Sequence, residues 1–162
     1  MNTTDNPSAT VDTETFSVRR TITISAPIEK VWAAITQAEH LARWFPQQVT
    51  LGEVAVGSRG TFTFEGHGTV PVVIEEVDEP RMIAYRWGNE SGEPASVGAE
   101  GADPDRSTVF RFFLEGAADG TRLTVIESGF DALSDPTARM NDNRGGWDSE
   151  LDELVAYLEG AS

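Results

Sequence analysis

Apolar and polar residues alternate along residues 16–24, and the same two-residue period returns from residue 58 onward. Alternation over four to eight residues is the pattern of a half-buried strand. It predicts strands over residues 16–24, 58–65, 69–78, 82–87, 107–114 and 121–127, with a shorter strand near residues 49–54. Turn-forming residues separate these segments, and short connections favour an antiparallel meander.

A helical period follows the first strand. Pro27 suits a first helical turn, and apolar residues then recur at spacings of three and four, which predicts a helix that buries Ile28, Val31, Trp32 and Ile35. The segment TQAE, residues 36–39, has the sequence of a capping box and predicts the start of a second short helix. Proline cannot continue a helix, so this helix is predicted to end before Pro46.

The longest helix is predicted near the C-terminal end of the sequence. Asp135 and Pro136 offer an N-cap and a first-turn proline for a helix that runs to about residue 159. Two glycines, Gly145 and Gly146, fall inside it, although glycine disfavours a helix by about 1 kcal/mol relative to alanine. Two interpretations stay open: the glycines allow close approach to a sheet, or they form a hinge for the first half of the helix.

The order of elements is one strand, two helices, about six strands and one long helix. This is an α+β order, in which an antiparallel sheet has one face to bury under the long helix. Residues 1–14 are polar without apolar periodicity and are predicted to be a disordered tail. Residues 15–160 are predicted to form a single domain. Within it, residues 88–105 are predicted to be a mobile acidic loop, because so long a structureless connection is unusual in a compact domain.

Composition narrows the classes of partner. The net charge of −15 opposes binding to nucleic acid or to an anionic membrane surface. The chain has no cysteine and two histidines, so neither a metal nor a cofactor is predicted. There is no leader and no run of 18 apolar residues, so a cytoplasmic protein without membrane insertion is expected.

Four segments together resemble one known family. They are APIEKVWAAITQAEHLARWF (26–45), VIEEVDEPRMIAYRW (73–87), GTRLTVIESGF (120–130) and GGWDSELDELVAYL (145–158). In order and spacing they resemble the family named for the activator of the heat-shock-protein-90 ATPase, in the START-like (SRPBCC) superfamily. The resemblance implies a helix-grip fold, in which a curved antiparallel sheet of six to seven strands wraps around the long C-terminal helix. It also implies a cavity for an apolar ligand between sheet and helix.

Alternation within the predicted strands places many aromatic and aliphatic side chains on the face that would meet the helix. Arg20, the Tyr85 hydroxyl and Glu127 share that face as polar exceptions. An apolar cavity with a few convergent polar groups is typical of a small-molecule site. The predicted ligand-binding residues are Trp44, Phe62, Phe64, Ile74, Tyr85, Trp87, Phe110, Phe112, Val125, Glu127, Met140, Asn143 and Trp147. Arg20 and Glu127 are predicted either to form a structural ion pair or to contact the ligand.

Three functions are compatible with these patterns. The first is a soluble protein that binds a small hydrophobic or amphipathic molecule. The second is a cyclase or aldol-type enzyme, with Glu127 as base and Tyr85 or Arg20 polarising a carbonyl group. The third, implied by the name of the family, is a co-chaperone that stimulates a heat-shock-protein-90 homologue. The sequence has no recognisable nucleophile, phosphate-binding or dinucleotide motif, so no catalytic residue is predicted.

Overall fold

The computed structural model describes residues 6–45, 48–64, 68–88, 107–133 and 135–160. The strands and helices, in chain order, are β1 (Thr10–Asp12), β2 (Ser17–Ile24), α1 (Ile28–Thr36), α2 (Ala38–Trp44), β3 (Gln48–Leu51), β4 (Arg59–Phe64), β5 (Gly68–Asp78), β6 (Met82–Gly88), β7 (Ser107–Ala117), β8 (Gly120–Ser128) and α3 (Pro136–Val155). A 3-10 turn at Phe130–Ala132 precedes α3, and a π-helical turn at Ala156–Gly160 follows it.

The eight strands within the described residues form one antiparallel sheet in the order β1-β2-β8-β7-β6-β5-β4-β3. From β3 to β8 each strand pairs with the next one along the chain, and β2 pairs with the last of them. The two short helices and α3 supply the helical layer, and α3 contacts β1 and β2. This arrangement confirms the predicted helix-grip fold, with eight strands instead of six to seven.

The prediction that residues 1–14 are a disordered tail is wrong for the part that the structure describes. Strand β1 pairs with β2, and Ala9 just before it is buried. The backbone N–H of Ala9 donates to the Asp148 carboxylate of α3 at 2.6 Å. A strand of three residues is too short to show a period, and its pairing partners are not visible in local sequence. Residues 1–5 lie outside the described residues.

Burial within the strands follows the predicted alternation. In β2 the buried side chains are Val18, Arg20, Ile22 and Ile24. The same face of β8 buries Thr121, Leu123, Val125 and Glu127, in register with β2. Helix α3 closes this face with Met140, Trp147, Leu151, Leu154 and Val155. The core therefore lies between the inner face of the sheet and the helical layer.

Of the three predicted helix starts, those of α2 and α3 have different outcomes. Asp135 is the N-cap of α3 and accepts from the Ala138 N–H at 3.3 Å, as predicted. The capping box at residues 36–39 is wrong, because the Thr36 hydroxyl donates to the Trp32 carbonyl at 2.8 Å and so belongs to the last turn of α1. Helix α2 begins after Gln37, which makes no side-chain capping bond.

Two predictions concern the rest of the chain. Apart from Gly88, which ends β6, the predicted mobile loop at residues 88–105 lies outside the described residues. Among the helices that the structure describes, none combines the length and apolar character that a membrane-spanning helix needs.

Candidate ligand-binding site

A continuous group of aromatic rings fills the space between the inner face of the sheet and helices α2 and α3. Neighbouring ring centroids in this aromatic cluster lie 4.7 to 6.4 Å apart. Such distances, in stacked and edge-to-face arrangements, are those of favourable aromatic contacts. The members are Trp44, Phe45, Phe62, Tyr85, Trp87, Phe110, Phe112 and Trp147.

Phe45 is a member of the cluster that the predicted site did not include. It follows the last residue of α2, and its ring contacts rings from α2, from the sheet and from α3. The centroid distances are 5.0 Å to Trp44, 5.5 Å to Phe62, 5.6 Å to both Trp87 and Trp147, and 6.0 Å to Phe110. Helical spacing places Phe45 on the face of Leu41 and Trp44, and this signal could have added it to the predicted site.

Glu127 of β8 forms a buried polar centre beside the cluster, and its side chain is fully buried. The indole N–H groups of Trp147 and Trp87 each donate to it at 2.9 Å, one to each carboxylate oxygen. The Asn143 amide donates at 3.0 and 3.2 Å, and the Thr108 hydroxyl donates to the second oxygen. Two of these donors lie on α3 and two on the sheet, so Glu127 links the helix to the sheet.

Two opposing effects act on the pKa of Glu127. Burial raises the pKa of this carboxyl group, because a charge is less stable away from water. The hydrogen bonds from Thr108, Trp87, Trp147 and Asn143 oppose that rise by stabilising the carboxylate. A carboxylate accepts about four hydrogen bonds, so these donors occupy most of its capacity. The alternation of β8 predicted that Glu127 faces inward, but nothing in the sequence predicted Thr108 as its partner.

The Tyr85 hydroxyl has a separate role. It donates to the carbonyl oxygen of Ile35, near the end of α1, at 2.6 Å. Burial raises the pKa of Tyr85, which keeps the hydroxyl protonated as a donor. Tyr85 therefore joins α1 to β6 through its hydroxyl while its ring belongs to the aromatic cluster.

Arg20 is buried on the inner face as predicted, but the predicted ion pair with Glu127 is wrong. Its guanidinium pairs with Asp152 at 2.9 Å and lies 3.6 Å from the Asp148 carboxylate. It also donates to the carbonyl oxygens of Pro7, Trp147 and Asp148 at 2.7, 3.3 and 3.0 Å. The physical reason is register, since Val18 lies opposite Glu127 and Arg20 lies opposite Val125.

These partners separate the three polar groups that the sequence placed on one face. Glu127 is held by indole, amide and hydroxyl donors, the Tyr85 hydroxyl by α1, and Arg20 by α3 and the segment before β1. The arrangement of Glu127 as base with Tyr85 or Arg20 polarising one carbonyl group is therefore not assembled.

The remaining predicted residues line the same interior. Ile74 of β5, Val125 of β8 and Met140 of α3 are buried. Phe64 ends β4, but its side chain lies outside the described part of the structure. Contact of any of these residues with a ligand stays a prediction. Across the described residues, no group of three or more histidine or acidic side chains is arranged to hold a metal ion.

The glycine pair lies on the solvent side of α3, which runs through it without interruption. A Cβ atom built on Gly145 or Gly146 meets nothing within 4 Å. The interpretation that these glycines allow close approach to the sheet is therefore wrong. The inner side of the same turn is held by Asn143 and Trp147, which both donate to Glu127.

The antiparallel sheet with its meander from β3 to β8, the two short helices after β2 and the helix that the sheet grips define a START-like domain of the helix-grip class. The family model described as Activator of Hsp90 ATPase homolog 1-like protein matches residues 25–159. The chain belongs to this family.

Solved structures of low identity share the fold. MLL2253 from Mesorhizobium loti is 24% identical with a TM-score of 0.73, and the match covers 90% of this chain and 98% of that one. CalU16 from Micromonospora echinospora is 19% identical with a TM-score of 0.64, over 88% of this chain and 76% of that one. The Aha1 dimer from Colwellia psychrerythraea is 22% identical with a TM-score of 0.66, over 88% and 96%. No curated protein matches the chain.

Proposed function

We propose that this protein binds a small hydrophobic or amphipathic molecule between the inner face of the sheet and α3. The observation that carries the proposal is the aromatic cluster around the buried carboxyl group of Glu127. A largely apolar interior with a few placed polar groups is how small-molecule sites are usually built. Membership of a family whose fold binds hydrophobic ligands supports the same function.

Asn143 is the donor on α3 that is close enough to the surface to meet an incoming ligand. Its side chain is half-buried, whereas Trp147, one turn further along α3, is buried. A polar group on the ligand can replace the Asn143 amide at Glu127 while the apolar part enters beside the rings. An amphipathic ligand would thus be oriented by the first half of α3.

A direct test is native mass spectrometry of protein purified from its own host, followed by displacement of a fluorescent fatty acid from the purified protein. We expect a co-purifying hydrophobic ligand, or saturable displacement. Because the ligand replaces the Asn143 amide at Glu127, the Asn143→Leu variant removes its competitor and should tighten binding by about tenfold, the worth of about one hydrogen bond. The matched control is Asn141→Leu, because Asn141 is exposed on the same helix. A protein that carries no ligand and binds no probe would contradict the proposal.

The other two functions have weaker support. A cyclase would need Glu127, Tyr85 and Arg20 to meet one substrate, and their side chains are engaged with separate partners. A co-chaperone would stimulate the ATPase of the host's heat-shock-protein-90 homologue, which an ATPase assay with the purified protein tests directly. The described site has no feature that favours either function over ligand binding.

A further inference from the structure

We propose that the Phe45 ring occupies the place of a planar aromatic ring of the ligand, so that binding exchanges one ring for the other. This inference rests on the proposed function and adds the chemical class of the ligand, a neutral molecule whose buried end is a single flat aromatic ring. Phe45 then acts as a plug that keeps the apolar interior closed while no ligand is bound.

The surroundings of Phe45 are suited to a flat ring. The Trp44 indole is stacked against it with an interplanar angle of 12°. Phe62 and Phe110 meet it edge-on, at 68° and 84°. Stacked and edge-to-face contacts depend on the charge distribution of an aromatic ring. A saturated ring of the same size is thicker and lacks that distribution, so it fits this place less well.

Phe45 differs from its neighbours in how it is held. Phe62 and Phe110 lie within paired strands, and the Trp44 indole N–H donates to the Ala34 carbonyl at 2.8 Å. The indoles of Trp87 and Trp147 are held by Glu127. The Phe45 side chain has no polar atom, and residue 45 follows α2 outside the sheet. A rotation of this ring would break its ring contacts but would leave the hydrogen bonds of the strands and the polar centre unchanged.

The polar centre explains why the buried end of the ligand is neutral. Trp87 and Trp147 both contact the Phe45 ring, and both donate to Glu127. An acidic group on the ligand ring would compete with Glu127 for these two donors. A ring without such a group leaves the link between α3 and the sheet intact.

The experiment compares two probes of similar size, benzyl alcohol and cyclohexylmethanol, by titration calorimetry. The Phe45→Ala variant should bind benzyl alcohol at least about tenfold more tightly than the wild type, because a cavity lined by apolar side chains accepts a benzene-sized molecule. It should also favour benzyl alcohol over cyclohexylmethanol. In NMR spectra the indole N–H signals of Trp87 and Trp147 should shift more than that of Trp32, which is outside the aromatic cluster.

Phe130→Ala is the matched control. Phe130 is fully buried, but it lies in the 3-10 turn before α3 and is not a member of the aromatic cluster. This variant can open a benzene-sized cavity of its own, but benzyl alcohol bound there should leave the indole N–H signals of Trp87 and Trp147 in place. If Phe45→Ala does not fold, Phe45→Leu should give a smaller gain in affinity with the same preference.

The outcomes separate this inference from the proposed function. If the wild type carries a hydrophobic ligand but the Phe45 variants gain no affinity, the plug is wrong and the proposed function stands. Equal binding of both probes, or binding of benzyl alcohol to Phe45→Ala that leaves the Trp87 and Trp147 signals in place, also overturns the plug. If the Phe45 variants bind benzyl alcohol while the wild type binds no hydrophobic molecule at all, the substitution has made a cavity that the wild type does not use, and both the plug and the proposed function fail.

Discussion

Glu127 and Arg20 are both buried charged residues that tie α3 to the sheet, and their surroundings differ. Glu127 is fully buried and accepts hydrogen bonds from the uncharged groups of Trp87, Trp147, Asn143 and Thr108. Arg20 pairs instead with the carboxylates of α3 and with backbone carbonyls, and the side chain of its partner Asp152 is 67% exposed.

The difference determines how each contact responds to disruption. When a buried acceptor is removed, each buried donor that it served loses its partner and cannot recover it from water. When a charge is removed from an exposed partner, water replaces much of the lost interaction. We therefore expect the Glu127 centre to stabilise the fold more than the Arg20 centre does.

The largest effect is expected for Glu127→Gln. The glutamine amide has the same size as the carboxyl group, but an NH2 group replaces one of the two acceptor oxygens. The buried groups that donate to that oxygen then face another donor, which should lower the free energy of unfolding by about 3 kcal/mol. Urea unfolding measures this. Glu115→Gln is the control, since its contact with Arg122 lies on the exposed face and should contribute less than about 1 kcal/mol. Equal losses in the two variants would show that the buried centre has no special role.

Arg20→Met comes next, with an expected loss of about 2 kcal/mol, because the charged hydrogen bonds to α3 and to Pro7 disappear. It should also release the segment before β1, so amide hydrogen exchange near Ala9 and Val11 should become faster. Arg19→Met is the control, because Arg19 is exposed on the opposite face of the same strand. Unchanged exchange in this segment would mean that the pairing with β2 and the hydrogen bond from Ala9 to Asp148 hold it without Arg20.

The same two residues show what the sequence could predict. Alternation along a strand decides which face of the sheet a side chain occupies, and it correctly placed Arg20 and Glu127 on the inner face. Alternation does not decide which of the inward-facing side chains contact each other, because that depends on the register between strands that are distant in sequence. Val18 stands opposite Glu127, and this shift by two residues replaces the predicted ion pair with two separate centres.

Elements without a period were the least predictable. Strand β1 is too short to show alternation, and the contacts of Pro7 and Ala9 with Arg20 and Asp148 come from residues more than 10 positions away along the chain. Phe45 lies where a helix ends, so helical spacing places it on the face of Leu41 and Trp44 but does not show that its ring meets Phe62, Trp87 and Trp147. Long-range contacts of this kind decide packing but leave little trace in local sequence.

Replacement of both glycines tests the turn of α3 that carries Asn143 and Trp147. The double variant Gly145→Ala with Gly146→Ala should raise the free energy of unfolding by about 1 to 2 kcal/mol, because alanine favours helix and the added Cβ atoms meet open space. If the glycines are a hinge, the rates of ligand association and dissociation should also fall. Unchanged rates would exclude the hinge. Gly116→Ala is the control, since Gly116 has similar space but lies in β7.

The smallest expected effect concerns Glu150, a carboxyl group of α3 that lies in sequence between Asp148 and Asp152. Burial, and next the nearby charge of Glu153, raise its pKa from 4.5 to about 7. Between these two values the folded protein binds more protons at this site than the unfolded chain does, so the free energy of unfolding falls as the pH rises through this window.

Glu150→Gln should remove this dependence. The wild type should lose free energy of unfolding between pH 5 and pH 8, and the variant should not. Because the group is partly exposed, this loss should be below about 1 kcal/mol. The urea midpoints of wild type and variant at pH 5 and pH 8 measure this loss. The same change of midpoint with pH in both proteins would mean that Glu150 has the same pKa in the folded and unfolded states.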